Sequence, residues 1–315
     1  MFQLYKVRNF NAIINDTFTF FKVAGKNYFR NYFIINGPLL LILIVIGFVF
    51  FKIFFENIFS GVISTGSTGT ADNLFSDNFG LMVTLGILTG VLGLVAAIIN
   101  YSYPVIYLML MEKNEKPDTR EIINALKKRI GKAIIFGLLS LVTFLPLLAL
   151  ICIVSFFLAI IIIGFPVAVI LIAAFTCWMY QSFYEYISTD NSFFGSMEAG
   201  HTSVRRSFWA TSGSTAIFYI ILYIIQMILG FAGMIINMLF GLVSAGPDLE
   251  NADPNNIMAA MSVTMIIAFV IQTIASFVMG NFIFINQGMI YYSSKEQEDN
   301  KTLYNDIDLI GREAE

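Results

Sequence analysis

"AIIFGLLSLVTFLPLLALICIVSFFLAIIIIGFPVAVILIAAFTCWMYQSF", Ala133 to Phe183, contains no charged residue. At ~1.5 Å per residue it would make roughly 75 Å of helix, more than twice the ~30 Å of a bilayer core. It is therefore read as two spans joined by a tight turn, with "GFP" at Gly164–Pro166 as the turn signal. The rest of the 315-residue chain agrees: 57% of residues are hydrophobic, 12% are charged and the mean hydropathy is +0.78. A soluble domain carries about twice that share of charge. The two cysteines, Cys152 and Cys177, lie inside apolar runs and have no metal-ligand or disulfide spacing. No cleavable signal peptide is read at the start, where the first thirty residues are polar and basic.

Four further spans are expected from the same length argument. The first is "FIINGPLLLILIVIGFVFFKIFF", Phe33 to Phe55, and the second runs from near Leu81 through "LMVTLGILTGVLGLVAAII". The fifth covers about Ala216 to Leu242, and the sixth runs from about Met258 into "FIFINQGMIYY". Lys and Arg orient them. Bases fill the segments before span one, between spans two and three, between four and five, and after six. The loops at 56–80 and 243–257 hold acids and no base, and Lys52 stands near the outer end of span one, where its stem can snorkel. This positive-inside pattern predicts six helices with both termini in the cytoplasm. Tyr180, Tyr184, Tyr186, Tyr291 and Tyr292 fall where an inner aromatic belt is expected.

Each odd span follows a basic amphipathic segment. Phe10, Ile14, Phe18 and Phe21 recur at helical spacing in the first. In the second, Asp118 with Glu121 forms a capping-box pattern ahead of Ile122, Ile123, Leu126 and Ile130. In the third, Phe193, Met197, Gly200, Val204 and Phe208 make a stripe. Such stripes suit helices lying in the membrane interface. The expected fold is thus all-α and integral to the membrane: six transmembrane helices as three hairpins, each preceded by a cytoplasmic interfacial helix, N-in and C-in. The divisions are 1–32, hairpin 33–111, 112–132, hairpin 133–184, 185–214, hairpin 215–293, and an acidic tail at 294–315.

Chemistry is sparse. No span carries Asp, Glu, Arg or His at mid-depth, where ion-coupled transporters place them. There is no Walker loop, HExxH or serine elbow, and the lone His201 has no carboxylate or cysteine partner. "DLENAD", Asp248–Asp253, resembles the opening of a calcium loop, but Asp253 stands where that loop needs glycine and Ala259 where it needs glutamate. No catalytic, cofactor or metal residue is therefore expected. Lys127, Lys128, Arg205 and Arg206 are assigned to anionic lipid headgroups rather than nucleic acid. Gly86, Gly90 and Gly93 are assigned to close helix packing. Gln226 and Gln272 lie about 16 and 15 Å in from the cytoplasmic ends of their spans at about 1.5 Å per residue, so the two amides are level and are expected to hydrogen-bond to each other or to a shared third group inside the bundle.

The stretch from "IIIIGFPVAVILIAAFTCWMYQSFYEYI" through "FFGSMEAGHTSVRRSFWATSGSTAIFYIILYII" resembles bacterial six-helix integral membrane families related to the membrane domain of glycerophosphoryl diester phosphodiesterase. The resemblance covers about residues 130–240 and rests on Pro166, Ser203, Arg205, Arg206, Phe208 and Trp209. It implies the six-helix topology and a bacterial inner membrane, and no catalysis, because the soluble phosphodiesterase barrel is missing. The functional expectation is a non-catalytic subunit or scaffold of an inner-membrane assembly, in protein translocation or insertion or in envelope biogenesis, whose partners are membrane lipids and other membrane-protein subunits. The acidic tail "KEQEDNKTLYNDIDLIGREAE" would suit a basic partner. The alternative is a transporter or scramblase for a lipid or small amphipath, suggested by Asn100, Ser102, Gln181, Asn281, Asn286 and Gln287 at the inner ends of the even spans.

The topology is testable in a variant lacking both native cysteines. S67C and A252C should react with an impermeant thiol reagent in intact cells, and N114C should react only after lysis. Equal labelling at all three positions would refute six spans.

Overall fold

The computed structural model describes residues 2–65, 69–160, 164–245 and 254–299, with side chains for all of these except 51–65, 69–79, 82, 159, 254–256, 258 and 259. The Lys52 side chain, "DLENAD" and tail residues 300–315 lie outside the described residues. Seven helices make up the described chain: α1 (Phe10–Thr65), α2 (Gly69–Met111), α3 (Thr119–Ala159), α4 (Gly164–Ser188), α5 (Phe193–Arg206), α6 (Phe208–Ala245) and α7 (Pro254–Asp299). All except α5 are long and apolar enough to cross a membrane. Their exposed faces are apolar, as at Val142, Phe156 and Val243, so this is a multi-pass membrane protein.

Helix boundaries follow local chemistry. Asp118 caps α3 in a full capping box with Glu121. Ser192 caps α5 by accepting from the Gly195 N–H at 3.1 Å. The break in the long apolar block falls between Ala159 and Gly164, so "GFP" forms the first turn of α4 instead of the turn itself. Pro166 fits there because the first N–H groups of a helix need no intrahelical acceptor. Gly164 is required because a Cβ would run into the Leu158 carbonyl.

Two of the three interfacial segments are not separate helices. Residues 10–32 are continuous with the rest of α1, and residues 119–132 with the rest of α3; only α5 stands alone, ended at Ser207. Their stripes also face protein. On α1 the buried line is Ile13, Thr17, Phe20, Ala24 and Tyr28, while Phe10 and Phe18 of the predicted stripe stay partly exposed. On α5, Phe193, Ser196, Gly200 and Val204 are buried, with Gly200 pressed on Ser182 of α4 and the Trp178 indole donating to the Met197 carbonyl at 2.9 Å. Phe194 and Trp209 are the outward residues, each 72% exposed. Periodicity marks an apolar face but does not say whether lipid or another helix covers it.

The chain divides into two compact units. One comprises Met1–Ile35, Ile98–Ile221 and Gly280–Glu315; the other comprises Asn36–Ala97 and Leu222–Met279. The first has an aromatic core in which Tyr28, Tyr32, Tyr103 and Tyr107 are fully buried. Tyr28 meets Tyr103 and Tyr107 edge-on at centroid distances of 5.1 and 4.9 Å. Tyr180, Tyr184, Tyr291 and Tyr292 belong to this interior, not to a lipid-facing belt. In the second unit, α6 and α7 touch where an added Cβ on Gly233 would lie 3.2 Å from Ala268 and one on Gly241 would lie 3.4 Å from Met261. Gly86, Gly90 and Gly93, expected to serve this purpose, face open space with nothing within 4 Å of an added Cβ.

Glycine substitutions separate these environments. Gly200→Ala places a methyl 2.6 Å from the Ser182 backbone nitrogen and should destabilise the protein by about 1–3 kcal/mol, the usual cost of overpacking. Gly90→Ala should leave the unfolding midpoint in detergent unchanged or raised. Trp178 fluorescence, at the α4–α5 contact, reports both.

Candidate functional site

A polar side chain away from water needs a partner, and inside a bundle that partner must come from another helix or from its own backbone. The part of α7 from Asn281 to Lys295 meets this demand for α1, α4 and α6. Tyr28 of α1 donates to Asn281 Oδ1 at 2.6 Å, and Tyr184 of α4 to the Phe284 carbonyl at 3.1 Å. Gln181 Nε2 of α4 donates to the Gln287 carbonyl at 3.0 Å, while Gln287 Nε2 donates to Thr215 Oγ1 of α6 at 2.7 Å. Thr215 also approaches Asn286 Oδ1 at 3.2 Å and the Cys177 thiol at 3.0 Å. Farther along, Tyr292 donates to Glu112 Oε1 at 2.7 Å, and the Arg8 backbone N–H donates to Ser293 Oγ at 2.9 Å. Gly288 makes room for this convergence, because a Cβ there would strike Leu108 and lie 2.8 Å from the Tyr184 hydroxyl.

An ion cluster closes the end of the core. Glu185 of α4, only 3% exposed, pairs with Lys295 Nζ at 2.9 Å, accepts from the Tyr291 hydroxyl at 3.1 Å and from Asn191 Nδ2 at 2.8 Å. Lys295 also lies 3.5 Å from Glu298, which pairs with Arg206 at 3.2 Å. Burial of the Lys295 ammonium works against its charge, but the hydrogen bond and charge of Glu185, helped by Glu298, outweigh it and hold its pKa above the ordinary 10.5. A cavity of about 20 Å³, the size of a single water, lies between Gln181, Glu185, Ser203 and Lys295. The carboxylate and ammonium are spent on each other, so the arrangement fastens α4, α5 and α7 together.

The residues singled out in the sequence are distributed as follows. Arg205 is exposed, whereas Arg206 is tied to Glu298. Lys127 and Lys128 are exposed, and their neighbours in "KKRIGK" turn inward: Arg129 donates to the Ile187 carbonyl, and Lys132 to the Thr189 carbonyl at 2.9 Å and to Asp190 at 2.8 Å. These bases sit at the C-terminal end of α4, where helix carbonyls lack partners. His201 is exposed, with its ring 5.9 Å from Trp178. Asn100 accepts from Tyr32 at 2.8 Å, so Asn100, Gln181, Asn281, Asn286 and Gln287 all bond inside the bundle, whereas Ser102 Oγ, Gln181 Oε1 and Asn286 Nδ2 are buried with no partner among the described residues.

In the other unit, Gln272 Nε2 donates to Gln226 Oε1 at 2.6 Å, and Gln226 Nε2 donates to Ser276 Oγ at 2.7 Å. Asn237 Nδ2 donates to Thr264 Oγ1 at 2.9 Å and to the Met261 carbonyl at 3.0 Å. Two apolar grooves flank the α6–α7 contact. One, of about 840 Å³, has Asn237, Met261 and Gln272 in its wall; the other, of about 550 Å³, has Phe240, Thr264 and Gln272. Among the described residues no group of three or more His, Cys, Asp or Glu side chains could hold a metal ion.

The sequence reading passed over Glu185, Lys295 and Glu298. The available signal was an acid set between Tyr184 and Tyr186 at the end of an uncharged span, which calls for a base from another helix end. Compared with family models, curated proteins and solved structures, the chain matches none.

Removing one member of the cluster should cost more than removing two. Lys295→Met leaves Glu185 buried with only Tyr291 and Asn191, and should cost roughly 2–3 kcal/mol, below the ~3–5 kcal/mol of a wholly unpaired buried charge. The double variant E185Q/K295M should recover most of that loss. Because the folded Lys295 pKa is raised, its contribution is complete below pH 10.5 and lost as pH climbs through the folded value. The parent should therefore lose stability above pH 10.5 that the double variant does not, as read from paired unfolding curves.

Proposed function

We propose that this protein is a non-catalytic subunit or scaffold of an assembly in the bacterial cytoplasmic membrane, its spans arranged as three hairpins with both termini in the cytoplasm. The observation that carries this reading is the closure of the polar core around α7. Asn100, Gln181, Asn281, Asn286 and Gln287 at the inner ends of the spans each bond within the bundle, and Glu185 and Lys295 neutralise each other. Catalysis requires an acid, base or nucleophile held within reach of a substrate. The resemblance over residues 130–240 supports the same placement, and protein translocation or insertion and envelope biogenesis are the processes it suits. The exposed apolar faces of α3 and α6, and outward Phe194 and Trp209, offer surface to lipid or to other membrane subunits.

A second reading, lipid or amphipath transport, draws on the two grooves beside α6 and α7, where the amides of Asn237 and Gln272 are set in apolar walls. Two experiments distinguish the readings. Purification from the native membrane in mild detergent should recover stoichiometric partner subunits, and a monomer without partners would refute the scaffold. Proteoliposomes of the pure protein should show no lipid flux above protein-free vesicles; flux that falls in Q226L/Q272L would establish transport.

A further inference from the structure

Three bases from two separate parts of the chain line one cleft. Lys26 and Arg30 are one helical turn apart on α1, and Lys116 comes from the turn after α2; the cleft between them measures about 330 Å³. All three side chains are exposed, and none makes an ion pair or side-chain hydrogen bond among the described residues. This sets them apart from Arg8, Arg129, Lys132, Arg206 and Lys295, each of which is committed to an acid or a carbonyl.

Asn27 stands between Lys26 and Arg30 in the same wall. Its Oδ1 accepts from the buried Tyr107 hydroxyl at 2.8 Å and from Asn31 Nδ2 at 3.1 Å. Those two donors fix which way the amide faces and leave its amino group as a donor with no acceptor among the described residues. The floor is apolar: Ala24 and Met111 are buried, and Phe2 and Val23 form a side. Glu115 is the single acid of the lining, against three bases.

Three cations without an ion-pair partner among the described residues, an oriented amide donor and an apolar floor match an anionic phosphate ester that carries an apolar group. Arg30 lies just before the apolar run that begins at Phe33, so the cleft stands where α1 leaves the hydrocarbon. We propose that the cleft formed by Lys26, Asn27, Arg30 and Lys116 is a binding site for such a phosphate ester, supplied either by an anionic phospholipid of the cytoplasmic leaflet or by a soluble phosphodiester. The site rests on the orientation given above, but not on the scaffold role.

The test uses the full chain purified in neutral detergent and a short-chain, fluorescently labelled phosphatidylglycerol. The parent should bind it in preference to phosphatidylcholine with the same label. K26Q/R30Q should bind about thirty-fold more weakly and K116Q about five-fold, from about 1 kcal/mol per base near an anionic headgroup at ~1.4 kcal/mol per tenfold. Neither substitution removes an intramolecular contact, so unfolding midpoints without lipid should match the parent. K22Q/R120Q, which alters exposed bases outside the cleft, should bind like the parent. Displacement of the label by glycerophosphoglycerol at similar concentrations would name the soluble ester as the source, and failure to displace would name the lipid. Equal binding of the two lipids, or an equal loss in K22Q/R120Q, would overturn the site.

Discussion

The pair formed by Glu185 and Lys295 is the contact on which the unit of Met1–Ile35, Ile98–Ile221 and Gly280–Glu315 depends. An ionised carboxylate that is 3% exposed is tolerable only beside a cation with further donors, and here the cation comes from the far end of the chain. Once α7 is placed to deliver Lys295, the preceding turns of the same helix bring Tyr291, Gln287, Asn286, Phe284 and Asn281 opposite partners on α1, α4 and α6. Each of these bonds is worth little in net stability, since the unfolded chain also finds partners. Their weight lies in what failure costs: shifting α7 by a residue would strand several buried amides at once. The polar core therefore sets the register of α7 more strictly than apolar packing could.

Contacts within Asn36–Ala97 and Leu222–Met279 follow a different principle. There, α6 and α7 meet through small residues and two polar clamps, with partners that run in opposite order along the two helices: Gln226 with Gln272, Gly233 with Ala268, Asn237 with Thr264, Gly241 with Met261. Water contributes no hydrophobic drive between helices in lipid, so close approach and a few amide bonds must supply the adhesion. The grooves on either side arise from the same small side chains that permit the approach.

Much of this was legible in the sequence. Six helices long and apolar enough to cross a membrane follow from runs of apolar residues alone, the Asp118–Glu121 box from local spacing, and the Gln226–Gln272 bond from equal depth along two of them. What could not be read was azimuth, the direction in which each face points. Gly86, Gly90 and Gly93 have the small-residue spacing of a packing seam yet face open space, while Gly288, without such a pattern, is where helices press together. Phe10, Ile14, Phe18 and Phe21 make as good a stripe as Ile13, Thr17, Phe20, Ala24 and Tyr28, and only tertiary contact selects the second. In a chain this apolar, hydrophobicity no longer marks the inside, and buried polar residues do so instead. For the same reason the ion cluster was missed: its members lie far apart in the chain, and no local pattern links them.

The order in which a ribosome releases this chain gives the α7 hub a further meaning. Gln181 emerges 106 residues before Gln287, and Tyr28 emerges 253 residues before Asn281. At about 5–20 residues per second, the amides of α4 wait on the order of ten seconds for their acceptors, and Tyr28 waits longer. Throughout synthesis the early helices thus hold buried-to-be polar groups that only water, lipid headgroups or an attending protein can satisfy. Completion of α7 supplies those partners, so a chain truncated before Asn281 would carry unmet hydrogen-bonding groups on α1, α4 and α6.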